Sequence, residues 1–159
     1  MVSRSLARYL SAYDRVTDSL NKFDWAVNLF VRLSVGFMFF SGAVGKLADL
    51  GKFTAMFNGL GIPGASVVAP ALAIVELVGG AALMLGLATR PVSLVLALDM
   101  VGALLTDIGP GLAHKYTTAW SFLSNLFYSS EWLLIGLLLF LVCLGAGSVS
   151  LDARLRPGR

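Results

Sequence analysis

Four apolar runs, at roughly 25–47, 67–88, 91–108 and 130–147, take up about half of a chain of 159 residues. Each is about long enough to cross some 30 Å of hydrocarbon as a helix. That leaves room for one bundle and no separate soluble domain. The composition agrees: 57% of residues are hydrophobic and 13% charged, and a soluble domain of this size needs a more polar surface. The expected fold class is an all-α integral membrane protein. A four-transmembrane-helix bundle occupies 23–150, between an amphipathic segment at 1–22 and a short tail at 151–159. No internal repeat or low-complexity segment interrupts it.

Charges inside these runs are the next constraint. Arg32, Glu76 and Asp99 each lie deep in apolar sequence. Hydrocarbon does not solvate a charge, so such residues pair with one another or line a polar cavity. Counting about 1.5 Å of rise per residue places all three near the membrane midplane. Arg32 and Glu76 are the expected pair, with a bidentate contact suited to the guanidinium. Asp99 is then the acid without a cation. A second cluster, Lys46, Asp107 and Glu131, falls nearer the outer ends of the spans, where Lys46 can snorkel. These two clusters are the candidate binding residues. A closed ion-pair network fixing helix order is the structural alternative.

The N-terminal segment has no apolar core or cleavage site of the secretory type. Leu6, Tyr9, Leu10, Tyr13, Val16, Leu20 and Phe23 recur at helical spacing among Arg4, Arg8, Arg15 and Lys22. They predict an amphipathic helix lying on the membrane, with a solvated tail as the alternative. Four spans put both termini on one side, with Arg4, Arg8, Arg15, Lys22, Arg90, Arg154, Arg156 and Arg159. Lys46, Lys52 and Lys115 fall on the other. The basic side is expected to be cytoplasmic, in the inner membrane of a bacterium. The net charge of +3 reflects that asymmetry and attraction to anionic lipid rather than nucleic acid.

Local signals set the boundaries. Asp24 is a candidate N-cap of the first span. Arg90-Pro91 makes a tight hairpin between the second and third spans. Gly109-Pro110-Gly111 is expected to end the third. Ser150 can cap a short helix with Asp152 in its first turn. Phe53, Met56, Phe57 and Leu60 at i, i+3, i+4, i+7 predict an amphipathic helix in the first outer loop. Trp120, Phe122, Leu123, Leu126 and Phe127 predict another in the second. Both could lie over the bundle mouth as lids, with His114 and Trp120 as a candidate outer gate, or act as interfacial anchors alone. Ser41, Gly42 and Gly45, and Gly79, Gly80, Ala82 and Gly86, are expected to let helices approach closely.

Several chemistries are excluded within one chain. Cys143 is the single cysteine, expected to be buried and inert, so no Cys-x-x-Cys redox pair exists. One histidine, His114, cannot make a bis-histidine haem site. No metal-ligand spacing and no phosphate-binding loop is present.

The residues also carry a family resemblance. Arg32 to Leu47 reads R-L-S-V-G-F-M-F-F-S-G-A-V-G-K-L, and G-I-P follows at 61–63. Val75 to Arg90 reads V-E-L-V-G-G-A-A-L-M-L-G-L-A-T-R. E-W-L-L at 131–134 precedes G-A-G-S-V-S-L-D at 145–152. In this order the set resembles the DoxX family of small bacterial four-helix membrane proteins, over about residues 27–155. The positions matched are Arg32, Gly42, Lys46, Glu76, Gly80, Glu131, Gly145, Ser150 and Asp152; Asp99 is outside that pattern. The family is similar to the DoxD subunit of thiosulfate:quinone oxidoreductase. The resemblance therefore implies a membrane subunit or anchor of a quinone-linked sulfur, thiol or oxidative-stress system, with quinone as the candidate cofactor. The candidate partners are lipids, a soluble or membrane redox enzyme, and further copies of the chain. Two other readings stand beside it: a channel or transporter using the buried charges, and a non-catalytic scaffold recruiting a soluble partner.

Overall fold

The computed structural model describes residues 9–10, 13–14, 17–19 and 21–155, and among these it contains helices and no strand. Leu6, Val16 and Leu20 of the expected N-terminal stripe lie outside the described residues, as do Arg4, Arg8, Arg15, Arg156 and Arg159. Backbone in hydrocarbon must satisfy its own hydrogen bonds, and a helix does so within one segment. The apolar runs accordingly form α1 (Asp24–Ala48), α3 (Ala65–Leu85), α4 (Thr89–Ala103) and α7 (Ser130–Leu144). Between them lie α2 (Leu50–Gly59), a π-helical turn (Leu104–Ile108), α5 (Gly109–Lys115) and α6 (Ala119–Phe127). The short α8 (Leu151–Leu155) follows.

Three helical segments, Asp24–Ala48, Ala65–Leu85 and Thr89–Lys115, are long and apolar enough to span a membrane. The fourth differs from expectation. α7 has 15 residues, about 22 Å of rise, which is short of the roughly 30 Å needed. It becomes a span only together with α6, across a 54° bend. Gly109-Pro110-Gly111 does not end the third span either. The Gly109 N–H reaches back to the Leu104 carbonyl in the π-turn, and the helix resumes with Pro110 in its first turn. A proline there is tolerated because its missing N–H is not needed.

The bundle is built from two antiparallel pairs, α1 with α3 and α4 with α7. In the first pair the backbones nearly touch. A Cβ on Gly80 would lie 2.6 Å from the Gly36 carbonyl oxygen and 2.6 Å from the Phe40 nitrogen. Small residues serve this close approach in lipid, where van der Waals contact replaces the hydrophobic drive. The face used on α1 is not the expected one. Gly36 and Ala43 are buried, whereas Ser41, Gly42 and Gly45 are exposed and a Cβ on either glycine would meet open space. The pairs join through Val35, Phe39, Leu83, Leu96, Met100, Leu134, Leu138 and Leu141.

α2 is the expected amphipathic helix of the first loop, capped by the Asp49 side chain accepting from the Lys52 N–H at 3.0 Å. Phe53 and Phe57 pack edge-to-face at 4.8 Å. Both lie on a flat strip of α3 made by Ala65, Ala69 and Ala73. Spacing of i, i+4, i+8 puts those three alanines on one helix face. α2 is thereby fixed to α3 rather than only resting on lipid.

Candidate functional site

The charged residues gather at two places. One is the end of the bundle holding Asp24, Leu85–Thr89 and Leu144–Leu155, here the terminal end. The other is the opposite, far half.

At the terminal end the chain after α7 folds back under the helices. Gly145 and Gly147 turn it with positive φ. Arg32 donates through Nη1 to the Ala146 carbonyl and through Nη2 to the Val149 carbonyl, the latter at 2.8 Å. Asn28 donates to the Gly145 carbonyl at 3.0 Å. The Asp152 N–H donates to the Gly86 carbonyl at 2.9 Å. The Asp152 carboxylate accepts from the N–H groups of Ala88 and Thr89 at 2.8 and 2.9 Å. It thus caps α4, a helix with no capping side chain of its own. Gly86 closes the arrangement. Its φ is +67°, and a Cβ there would lie 2.6 Å from both Arg32 Nη1 and Ser150 Cβ.

Arg32 therefore does not pair with Glu76. α1 and α3 run antiparallel, so Arg32, in the third turn of α1, meets the last turn of α3 near Gly86. Glu76 lies about 15 Å back along that helix. Arg32 is 2% exposed, and its buried charge is met by carbonyl oxygens and by the nearby Asp152. Expected as a member of the midplane binding cluster, it belongs instead to a structural closure.

Glu76 pairs with Lys46. The Lys46 Nζ lies 2.5 Å from each carboxylate oxygen, with Glu76 almost fully buried and the lysine side chain about one-third exposed. Helical side chains lean toward the helix N-terminus. A lysine near the end of α1 therefore reaches inward rather than out to the interface. Its ammonium also stands 5.0 Å over the Phe53 ring. Asp99, on α4, faces the same carboxylate, within hydrogen-bonding reach of Glu76 and Coulombic reach of Lys46. Its Oδ2 is buried and has no hydrogen-bond partner among the described residues.

This cluster borders a cavity of about 620 Å³. Lys46, Glu76, Asp99, Asp107 and Glu131 all line it, so the two expected clusters, without Arg32, border one cavity. Lys46 does not neutralise Asp107 and Glu131, however. Glu131 accepts from the Ser130 hydroxyl at 3.1 Å, and Asp107 projects from the π-turn. The remaining walls are apolar apart from Thr106, and come mostly from α2, α3 and α4. Leu83, Leu96, Leu138 and Leu141 do not line the cavity; they are fully buried in the core that joins the two helix pairs.

The expected outer gate does not border this space. His114 is exposed at the end of α5, and Trp120 is 82% exposed on α6. The α5 extension carries that loop away, and α2 is the element that covers the cavity. Asp24 is the first residue of α1 rather than its cap. Cys143 is exposed on α7, not buried. Ser150 does cap α8, accepting from the Ala153 N–H at 3.1 Å. The capping of α4 by Asp152 was not legible from spacing, because donor and acceptor are 63 residues apart. The π-turn under Asp107 also left no periodic signal.

Comparison with known proteins gives a consistent picture. The DoxX family model matches residues 27–107. A Bacillus subtilis protein named "Putative oxidoreductase CatD" is 35% identical over 78 residues, 49% of this chain and 57% of that protein. The chain thus matches little more than half of that relative's length. A Mycobacterium tuberculosis protein named as an uncharacterized membrane protein is 35% identical over 132 residues, 79% of this chain and 78% of the relative. No solved structure matches the chain. With helices apolar and long enough to span a membrane, a family match over residues 27–107 and a membrane-protein relative aligned over 79% of its length, the chain is a membrane protein of the DoxX family.

Proposed function

We propose that the far cavity binds the head of a quinone, and that the protein is a membrane subunit of a quinone-linked redox system. The observation that carries this reading is the cavity itself: about 620 Å³ of mainly apolar space with one buried ion pair and one orphaned carboxyl oxygen at its inner wall. Small-molecule sites combine apolar walls with a few placed polar groups in this way. Lys46 has three N–H donors, and with its side chain one-third exposed it can turn one toward a carbonyl oxygen. Asp99 Oδ2 can accept from a hydroxyl. A bound quinone would supply two-electron, two-proton chemistry. Glu76 and Asp99, held together beside one ammonium, would hold or pass a proton there. The name of the Bacillus relative, that of an oxidoreductase, supports a redox role. The fully buried leucines that fill the core between the helix pairs favour a binding site over a permeation path.

Native mass spectrometry of the gently solubilised protein, reading bound quinone, lipid and protein partners together, tests the reading. Wild-type protein is expected to retain added menadione, and Asp99→Asn to retain less of it while remaining folded. No retention by the wild type would remove the proposal.

The same reading places the protein in a bacterial inner membrane with both ends cytoplasmic. Reporters fused at residue 90 and at the C-terminus should then both report cytoplasm, and one near 115 the opposite side. We assign the docking of a soluble redox partner to the basic terminal face. Loss of a co-purifying protein on removing residues 1–20 checks that assignment.

A further inference from the structure

The far cavity is not closed on its lipid side. Three of its lining residues, Val75, Val95 and Leu98, are 37%, 48% and 63% exposed on the outer surface of the bundle. Val75 and Val95 also line a second hollow of about 400 Å³ between α3 and α4. Its other walls are Ile74, Val78, Gly79, Pro91, Val92 and Leu96, every one apolar. Two adjoining features thus share one seam. Charged groups lie on its inner side, and a bare apolar groove runs from it toward the terminal end.

The seam exists because α3 and α4 touch less than the α1–α3 and α4–α7 pairs do. A hairpin of only a few residues joins them at Leu85–Thr89, so they are held together at the terminal end. Gly79 adds no side chain to the groove floor.

From this geometry we infer that the cavity takes a membrane amphiphile whose apolar tail leaves through the α3–α4 seam and lies in the Ile74–Val78–Val92 groove. The inference rests on the quinone reading and narrows it, from a small ring in general to a ring carrying a long hydrocarbon chain. A water-soluble substrate has no use for an opening into lipid. A tailed head group needs one, because its chain finds no apolar path past the charged lining at Asp107 and Glu131. The groove does not draw the tail in by hydrophobic burial, since lipid is as apolar as the groove walls. It works by leaving a path, and its contribution is read by blocking it.

Val78 and Ile74 suit that test. They line the groove and not the cavity, and they are 61% and 53% exposed, so a larger side chain there disturbs little of the core. Full-length wild type, Val78→Trp and Ile74→Trp, with Leu139→Trp as a control on α7, would be purified in detergent. Each would be incubated with menadione, a naphthoquinone without a long tail, or with phylloquinone, the same ring carrying a phytyl chain. Bound and free protein would be counted by native mass spectrometry. Wild type and Leu139→Trp are expected to hold both. Overpacking the groove should lower phylloquinone retention by about tenfold or more, with menadione retained within about twofold of wild type. Unchanged phylloquinone in both groove variants, or equal loss of both quinones, overturns the seam while leaving a quinone in the cavity. Retention of neither quinone by the wild type overturns the seam and the quinone reading together.

Discussion

The two polar regions of this bundle use the same residue types to opposite ends. At the terminal end, Arg32, Asn28, Ser150 and Asp152 meet mainly backbone groups, at the turn after α3 and in the stretch after α7. The bonds they make fix where the chain turns, although Arg32 Nε and Asn28 Oδ1 stay buried without a partner among the described residues. In the far half, Lys46, Glu76 and Asp99 meet one another across three helices, beside open space. Backbone partners make a closure, because a carbonyl has nowhere else to go. Side-chain partners around a cavity leave donors and acceptors that a ligand can take up.

Substitutions can break this contrast, and the largest effect is expected at Arg32. Arg32→Ala removes two charge-assisted hydrogen bonds and leaves the Ala146 and Val149 carbonyls short of donors, at a cost of about 3–5 kcal/mol. Arg32→Lys should recover only part, since an ammonium lacks the planar fork that reaches both carbonyls. Thermal unfolding in detergent reads this, and a wild-type midpoint for Arg32→Ala would show that the closure is not structural.

Lys46→Met comes next. It strands the buried Glu76 carboxylate, and solvent at the lysine moderates the loss to about 2–3 kcal/mol. Adding Glu76→Gln should restore stability to within about 1 kcal/mol of wild type, because replacing both partners removes the buried charge. The double variant should still fail to hold menadione. That rescue without function is what separates a binding cluster from a closure, and a double variant no more stable than Lys46→Met would erase the distinction.

Asp152→Ala removes the cap of α4, at about 1–2 kcal/mol. Hydrogen exchange at Ala88 and Thr89 should rise with it; unchanged protection there would mean that the cap is made otherwise. The smallest effect on stability is expected at Asp99→Asn, within about 1 kcal/mol, since the side chain keeps its shape and one oxygen acceptor. A large destabilisation would make Asp99 a structural residue and weaken the case for the cavity.

Much of this was legible in the sequence, and where it was not, the reason is specific. The α2 helix could be read because Phe53, Met56, Phe57 and Leu60 repeat at the helical period. The cap at Ser150 could be read because its partner, Ala153, is three residues on. Glu76, Asp99 and Lys46 could be picked out because a charge in apolar sequence needs a reason. Their pairing could not. Depth counted along each span gave Arg32 and Glu76 similar heights, but it ignored the inward lean of Lys46 and the offset between α1 and α3. The close-packed face of α1 was misplaced for a related reason. Gly36 and Gly42 differ little in local sequence, and only the rotation of α1 against α3 decides which one is pressed to Gly80.

The sequence by itself determined the class of the molecule: apolar runs of membrane length, the amphipathic helix of the first loop, and a few charges that hydrocarbon would not leave unpartnered. These are local properties, set by the free energy of moving each residue between water and lipid. The tertiary structure decided which charge meets which, which end is sealed and which holds a cavity, and where the α3–α4 seam opens. Those depend on helix rotation and antiparallel register, and each residue along a helix turns the face by about 100°. A shift of one position in how two helices meet exchanges one set of partners for another while leaving the hydropathy of the chain untouched.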